Sequence, residues 1–286
     1  MDIKEFQEMG NDLYHRLHLP TFPVAIKYIK SEDEIPEKAV RPSSGGQQWS
    51  LCQAITYARR WGWHSAMTEK DNFCVPSSAS HRWVNVSSEE LLESQVRQGW
   101  RKDRAAEERH FAYMAKSRYG APDGAEMIEK MGQYVGCVFS PLTNTIIEPD
   151  SVIIYGDGGH LSHMIQALCY DYTEPVTSSF EGFGESCFKG CLLPFISGLP
   201  QVVIPGMGDR AFSGTSETEI ALGIPGTALQ TMTEHLFKSG GKQNMGLPLK
   251  PLLAMGLTDS ITPGFKYLRE IVDSKAEINK NEEDNR

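Results

Sequence analysis

The chain predicts an α/β or closely mixed α+β fold of two pseudo-repeated strand–helix–strand units with a helical insertion between them. Three observations carry this expectation. Short apolar runs alternate with amphipathic stretches of helical period along the 286 residues. Gln53-Ala54-Ile55-Thr56-Tyr57 reads as a copy of Gln166-Ala167-Leu168-Cys169-Tyr170, and each follows a strand-like run, Val24–Tyr28 and Val152–Tyr155. Cys74 lies 21 residues after Gln53, and Cys187 lies 21 after Gln166. Self-similarity backed by matching local structure marks a repeat. The units span about 20–86 and 148–240, the insertion 87–132, all inside one globular domain of residues 1–266.

The elements follow in order. Ile3, Phe6, Leu13 and Leu17 share one helical face, so residues 1–18 predict a helix that Pro20 stops. Pro23–Ile29 predicts a strand, and Ser31–Gln48, rich in Pro, Gly and Ser, a loop. Leu51–Arg60 predicts a helix and Trp63–Thr68 a short strand. Ser87 and Glu90 have capping-box spacing and open a run of surface helices in the insertion, broken at Ala121–Gly124. Val135–Ser140 and Ser151–Tyr155 predict strands, and Gly156–Gly159 a turn into a helix at about His160–Tyr170. Pro200–Pro205 predicts a strand; Ser216–Leu222 and Thr227–Phe237 predict helices. The charged residues 267–286 predict a frayed helix and a disordered tail.

Composition narrows the function. Apolar residues make up 40% and charged residues 23% of the chain, ordinary for a globular protein. A net charge of −9 argues against nucleic acid or an anionic membrane as partner, because phosphate binding needs a basic face. Asp2, Lys4, Glu5 and Glu8 occupy the place of a secretory leader's apolar core, which predicts a cytoplasmic protein. There, six cysteines stay reduced and serve more often as ligands or redox groups than as disulfides. A homo-oligomer is compatible with the sequence.

Cys52, Cys74 and Cys187 are candidate metal ligands, with Cys191 as a fourth from the Cys187/Cys191 pair. Soft thiolates select zinc, copper(I) or iron–sulfur clusters. The spacing is neither that of a zinc finger nor that of a ferredoxin. Ligands from both units, gathered by the fold, would hold an iron–sulfur cluster as cofactor. Three ligands leave one iron open for Lewis-acid chemistry, whereas completion by Cys191 suits electron transfer. The competing reading is core packing, since free cysteine often acts as a small buried hydrophobe; Cys137 and Cys169, in an apolar strand and helix, fit it well.

Other motifs point to a small anion. Gly158 and Gly159 open a helix whose backbone N–H groups suit an anion, although Asp157 stands beside them. Asp209 and Arg210 follow a strand end, where α/β folds place binding groups, and Arg210 suits two-pronged recognition of a carboxylate or phosphate. His160 and His163 share a helical face, at metal-pair spacing. Trp49, Trp61, Trp63, Trp83 and Trp100 all fall in the first 100 residues, with Arg59-Arg60-Trp61-Gly62-Trp63-His64 mixing basic and aromatic groups. That patch suits either core packing or a planar ligand.

Four segments in this order resemble a known family: Pro23–Ile26; Cys52-Gln53-Ala54; Pro149-Asp150-Ser151-Val152 through to Gln166-Ala167; and Ser186-Cys187 followed by Gly206–Arg210 and Gly223-Ile224-Pro225. They are similar to the bacterial and archaeal family called domain of unknown function 169, over about residues 10–240. That family is uncharacterised, so the resemblance implies no activity. The residues themselves yield three readings: a thiolate-ligated centre acting on a small molecule or redox partner, a metal-free anion binder or enzyme, and a non-catalytic interaction module.

Overall fold

The computed structural model describes residues 1–99, 101, 103–118, 129–170, 175–180, 186–236, 238, 264 and 266–274. Contacts divide the chain into two units, Met1–Pro248 and Leu249–Arg286. In the second unit, residues 266–274 are helical and carry an Arg269–Asp273 pair at 3.4 Å. Residues 275–286, the expected disordered end, lie outside the described residues.

The first unit is built on a six-stranded sheet in the order β2-β3-β1-β4-β6-β5, antiparallel at every pairing. The strands are β1 (Val24–Ile29), β2 (Ser65–Thr68), β3 (Gly136–Pro141), β4 (Ser151–Gly156), β5 (Gln201–Val203) and β6 (Ile220–Pro225). β1 and β4 are central and buried on both faces, which explains their largely apolar make-up; Lys27 of β1 is half-buried and pairs with Asp150. Val24, Ile26 and Tyr28 face one core, and Ala25 and Ile29 the other.

Helices cover both faces. α1 (Ile3–Arg16) opens with a capping box of Asp2 and Glu5. With α6 (Gly158–Leu168) and α9 (Leu229–Leu236) it packs on the face of Val138, Val152 and Leu222. The other face carries α2 (Leu51–Trp61), a π-helix (Ser186–Leu192) and α7 (Leu193–Ser197). Shorter helices α3 (Val75–Ser80) and α8 (Met207–Ser213) follow the two edge strands. The insertion contributes α4 (Ser88–Gln98), with the expected Ser87–Glu90 capping box, and α5 (Arg104–Arg118). Its break at 121–124 lies outside the described residues.

Two expectations are corrected. Ser216–Leu222 is not a helix: Ile220 begins β6, because pairing with β4 buries Ala221, Leu222 and Ile224. The matched Gln53 and Gln166 segments are not counterparts in space, since α2 and α6 lie on opposite faces of the sheet. Among the described residues no helix is long and apolar enough to cross a membrane.

Candidate functional site

Cys52, Cys74 and Cys187 line one cavity of about 160 Å³, together with Asp209. The cavity lies by the face that carries α2 and the π-helix. Ser50, Ser77 and Ser80 add hydroxyls, Gln95 and Gln98 of α4 form a wall, and Met207 and Phe212 of α8 stand at the rim. The insertion therefore contributes to the site, which its charged, surface-helix texture did not reveal.

Local structure fixes each thiol. Cys52 is the second residue of α2, whose N-cap Ser50 accepts from the Gln53 N–H. The Ser50 hydroxyl stands 2.9 Å from the Cys52 sulfur. Cys74 is the N-cap of α3, held by Asn72: Oδ1 accepts from the Cys74 N–H at 3.1 Å, and Nδ2 donates to the Cys74 carbonyl and to Ser77 and Ser78. The two segments are tied together just upstream. The Trp49 N–H donates to the Asp71 carbonyl at 2.8 Å, and the Phe73 N–H donates to the Trp49 carbonyl at 3.1 Å. Cys187 is the second residue of the π-helix, an uncommon wide turn that recurs at functional sites.

Asp209 joins the second half of the site. Its Oδ2 accepts from the N–H of Ser186, at the π-helix start, at 3.3 Å and from that of Gly206 at 3.2 Å. It is 4% exposed, and among the described residues it forms no salt bridge with a Lys, Arg or His. Burial pushes its carboxyl up to about 6, against the opposing pull of the Ser186 and Gly206 donors and the Arg59 charge. Burial, with the Asp209 charge added, pushes the Cys52 thiol up to about 12. Cys187 is driven well above the usual thiol range by burial, then by Cys52, Asp209 and Cys74. Such thiols stay protonated without a cation, the reverse of what a catalytic nucleophile needs. Among the described residues, no three His, Cys, Asp or Glu side chains already stand together at single-ion distances.

The remaining candidates lie elsewhere. Cys191 is buried at 1% exposure among core residues and does not line the cavity. Cys137 is wholly buried in β3, and Cys169 caps α6. All six cysteines are free. Arg210 is taken up locally: Nη1 donates to the Pro205 carbonyl and Nε pairs with the exposed Glu217 at 3.2 Å. At the Gly158-Gly159 turn, Asp157 accepts from the Gly159 and His160 N–H groups, taking donors an anion would use. His160 pairs with the same carboxylate at 2.6 Å, and Nε2 of His163 is buried with no partner among the described residues. In the aromatic patch, Tyr57 stacks on Trp63 and touches Trp49 and Trp61, while Arg59 and Arg60 both turn to Glu219. Trp100 lies outside the described residues.

The chain is 22% identical over 239 residues to uncharacterized protein MJ0308 of Methanocaldococcus jannaschii, spanning 82% of this chain and 95% of that protein. No solved structure matches. The model of DUF169, described as uncharacterised ArCR, matches residues 12–235, a stretch that holds every strand among the described residues and every residue lining this cavity, and the chain belongs to that family.

Proposed function

We propose that this is a metal-centre protein in which Cys52, Cys74 and Cys187 hold an iron–sulfur cluster, used in redox or Lewis-acid chemistry on a small molecule. The observation that carries this reading is the convergence of three cysteines, far apart in sequence, on one cavity. Chance burial of small hydrophobes does not require them to share a cavity with a buried carboxylate. Thiolate donors suit iron and sulfide, and the bound centre would supply an electron-accepting or Lewis-acidic iron. Ligands around a multi-iron cluster stand farther apart than those of one ion, whose metal–sulfur bonds are about 2.3 Å.

The chain's own residues set the surroundings. The Ser50 hydroxyl is placed to donate to the Cys52 sulfur once its proton is lost, and such bonds tune a cluster's potential. Phe73 and Phe212 meet edge to face with ring centroids 5.6 Å apart, and Phe212 and Met207 add apolar surface to the cavity lining. In this reading the protein works in the cytoplasm, with six reduced cysteines and with neither nucleic acid nor membrane as partner. The test is anaerobic reconstitution with ferrous iron and sulfide, followed by analysis of both per chain. A brown protein whose iron is lost in Cys52→Ser, Cys74→Ser and Cys187→Ser, but kept in Cys137→Ser and Cys169→Ser, supports the reading. Wild-type protein that retains no iron removes it.

A further inference from the structure

We propose that Asp209 is the fourth protein donor to this centre, standing in the second half of the fold where Cys74 stands in the first. The proposal rests on the cluster reading and assigns the position that Cys191 does not fill.

The sheet itself suggests the correspondence. Outward from the central β1–β4 pair, the order is β1-β3-β2 on one side and β4-β6-β5 on the other. Each half thus places its first strand at the centre, its third beside it and its second at the edge. Between first and second strands, each half lays a helical segment on the same face: α2 in one, the π-helix and α7 in the other. Both segments end on a left-handed glycine, Gly62 at φ 73° and Gly198 at φ 69°. Both edge strands, from Ser65 and from Gln201, begin three residues after that glycine. Cys52 and Cys187 are each the second residue of their helical segment, 10 and 11 residues before the glycine. A π-turn adds one residue to a helix and accounts for the difference.

After the edge strand the match continues. Cys74 lies six residues past Thr68, the end of β2, and Asp209 six past Val203, the end of β5. Each sits where a short helix opens. The two halves therefore offer Cys52 with Cys74, and Cys187 with Asp209, and all four line the cavity.

Asp209 also has the chemistry of a ligand. A buried carboxylate is normally paired with a cationic side chain or bound to a metal. Asp209 is 4% exposed, and among the described residues no Lys, Arg or His forms a salt bridge with it. Among the described residues both backbone donors go to Oδ2 and none to Oδ1.

The experiment compares reconstituted wild type, Asp209→Asn and Asp209→Cys before and after ferricyanide oxidation, by iron content and electron paramagnetic resonance. Asn keeps the shape and still accepts the two backbone bonds, and Cys completes a four-thiolate set. The expected result is that wild type and Asp209→Cys keep their full iron through oxidation. Asp209→Asn should lose one iron per cluster and show the signal of the iron-depleted cluster. Asp209→Asn with wild-type iron content and spectrum, in folded protein whose Cys52→Ser variant loses iron, overturns the proposal and leaves the cluster standing. Wild type that takes up no iron and sulfide overturns the cluster reading instead.

Discussion

Arg59 of α2 and Glu219, one residue before β6, form an ion pair at 2.5 Å that joins the two halves of the first unit. Arg59 is fully buried, and Nη2 reaches the second carboxylate oxygen at 3.2 Å. Its guanidinium lies 4.0 Å from the centre of the Tyr155 ring. Arg60 adds a second contact to Glu219 at 3.0 Å. Burial pushes the Glu219 carboxyl up, but the bonds from Arg59 and from the Ser216 N–H outweigh it and hold the group below its usual range. The pair fixes the helix that carries Cys52 against the segment that follows α8 and Asp209.

Breaking this pair is therefore expected to be costly. Glu219→Gln leaves Arg59 buried without a counter-charge, a loss of about 3–5 kcal/mol. Arg59→Met should cost less, because Glu219 keeps Arg60. The double variant should cost less than the sum of the two, since the uncompensated charge is removed. Urea unfolding of the four proteins measures this; a Glu219→Gln cost below about 1 kcal/mol would rank the pair with surface ion pairs.

Asp71 organises the turn beneath Cys74. It is wholly buried and accepts from Arg41 at 2.7 Å, from the Ser43 N–H at 3.1 Å and from the Thr68 N–H at 3.0 Å. Asp71→Asn should lose about 1.5–3 kcal/mol, the worth of a charged hydrogen bond. Iron uptake should fall in parallel, because loosening this turn displaces the Asp71 backbone carbonyl, which accepts from Trp49 three residues before Cys52. Glu32→Gln, at the exposed end of Arg41, should cost below about 1 kcal/mol and leave uptake unchanged. Equal effects of the two variants would deny Asp71 this role.

His81 makes stability depend on pH. It is 1% exposed, and its Nδ1–H donates to the Ser77 carbonyl at 2.8 Å. Burial pushes its pKa down to about 4 from 6.5, with the Ser77 bond acting the other way. The folded value lies below the unfolded one, so the contribution is complete above pH 6.5 and is lost as pH falls towards 4. The gap corresponds to about 3 kcal/mol. In urea unfolding between these limits, His81→Gln should show a flatter pH dependence than wild type. Parallel curves would show that His81 does not titrate on unfolding.

The sequence was informative wherever local pattern and tertiary pairing agreed. The Val24–Ile29 and Ser151–Gly156 strands, the Ser87–Glu90 capping box and the three cavity cysteines follow directly from residue type and spacing. It misled where the two conflicted. The polar start of Ser216–Leu222 has helical character, yet β4 offers a partner that only the assembled sheet reveals. The letter match at Gln53 and Gln166 points to α6, while the segment beside the cavity is the π-helix, where Gly190, with Pro194 of α7 just after it, hides any helical period. Asp209 reads as a turn residue until its burial is known.

The π-helix owes its place to a glycine contact, which provides the last prediction. A Cβ on Gly223 of β6 would lie 2.2 Å from the Gly190 carbonyl oxygen, within the π-helix backbone. That backbone cannot move aside without shifting Cys187, three residues earlier. A Cβ on Gly190 itself would meet the tip of the Ile153 side chain at 2.4 Å, which can change rotamer. Gly223→Ala is therefore expected to cost about 1–3 kcal/mol or more, as overpacking does, and to lower iron uptake together with stability. Gly190→Ala should be milder in both respects. Thermal unfolding and iron per chain after reconstitution measure the pair. Gly223→Ala protein with wild-type stability and uptake would show that close packing of the π-helix on β6 does not set the position of Cys187.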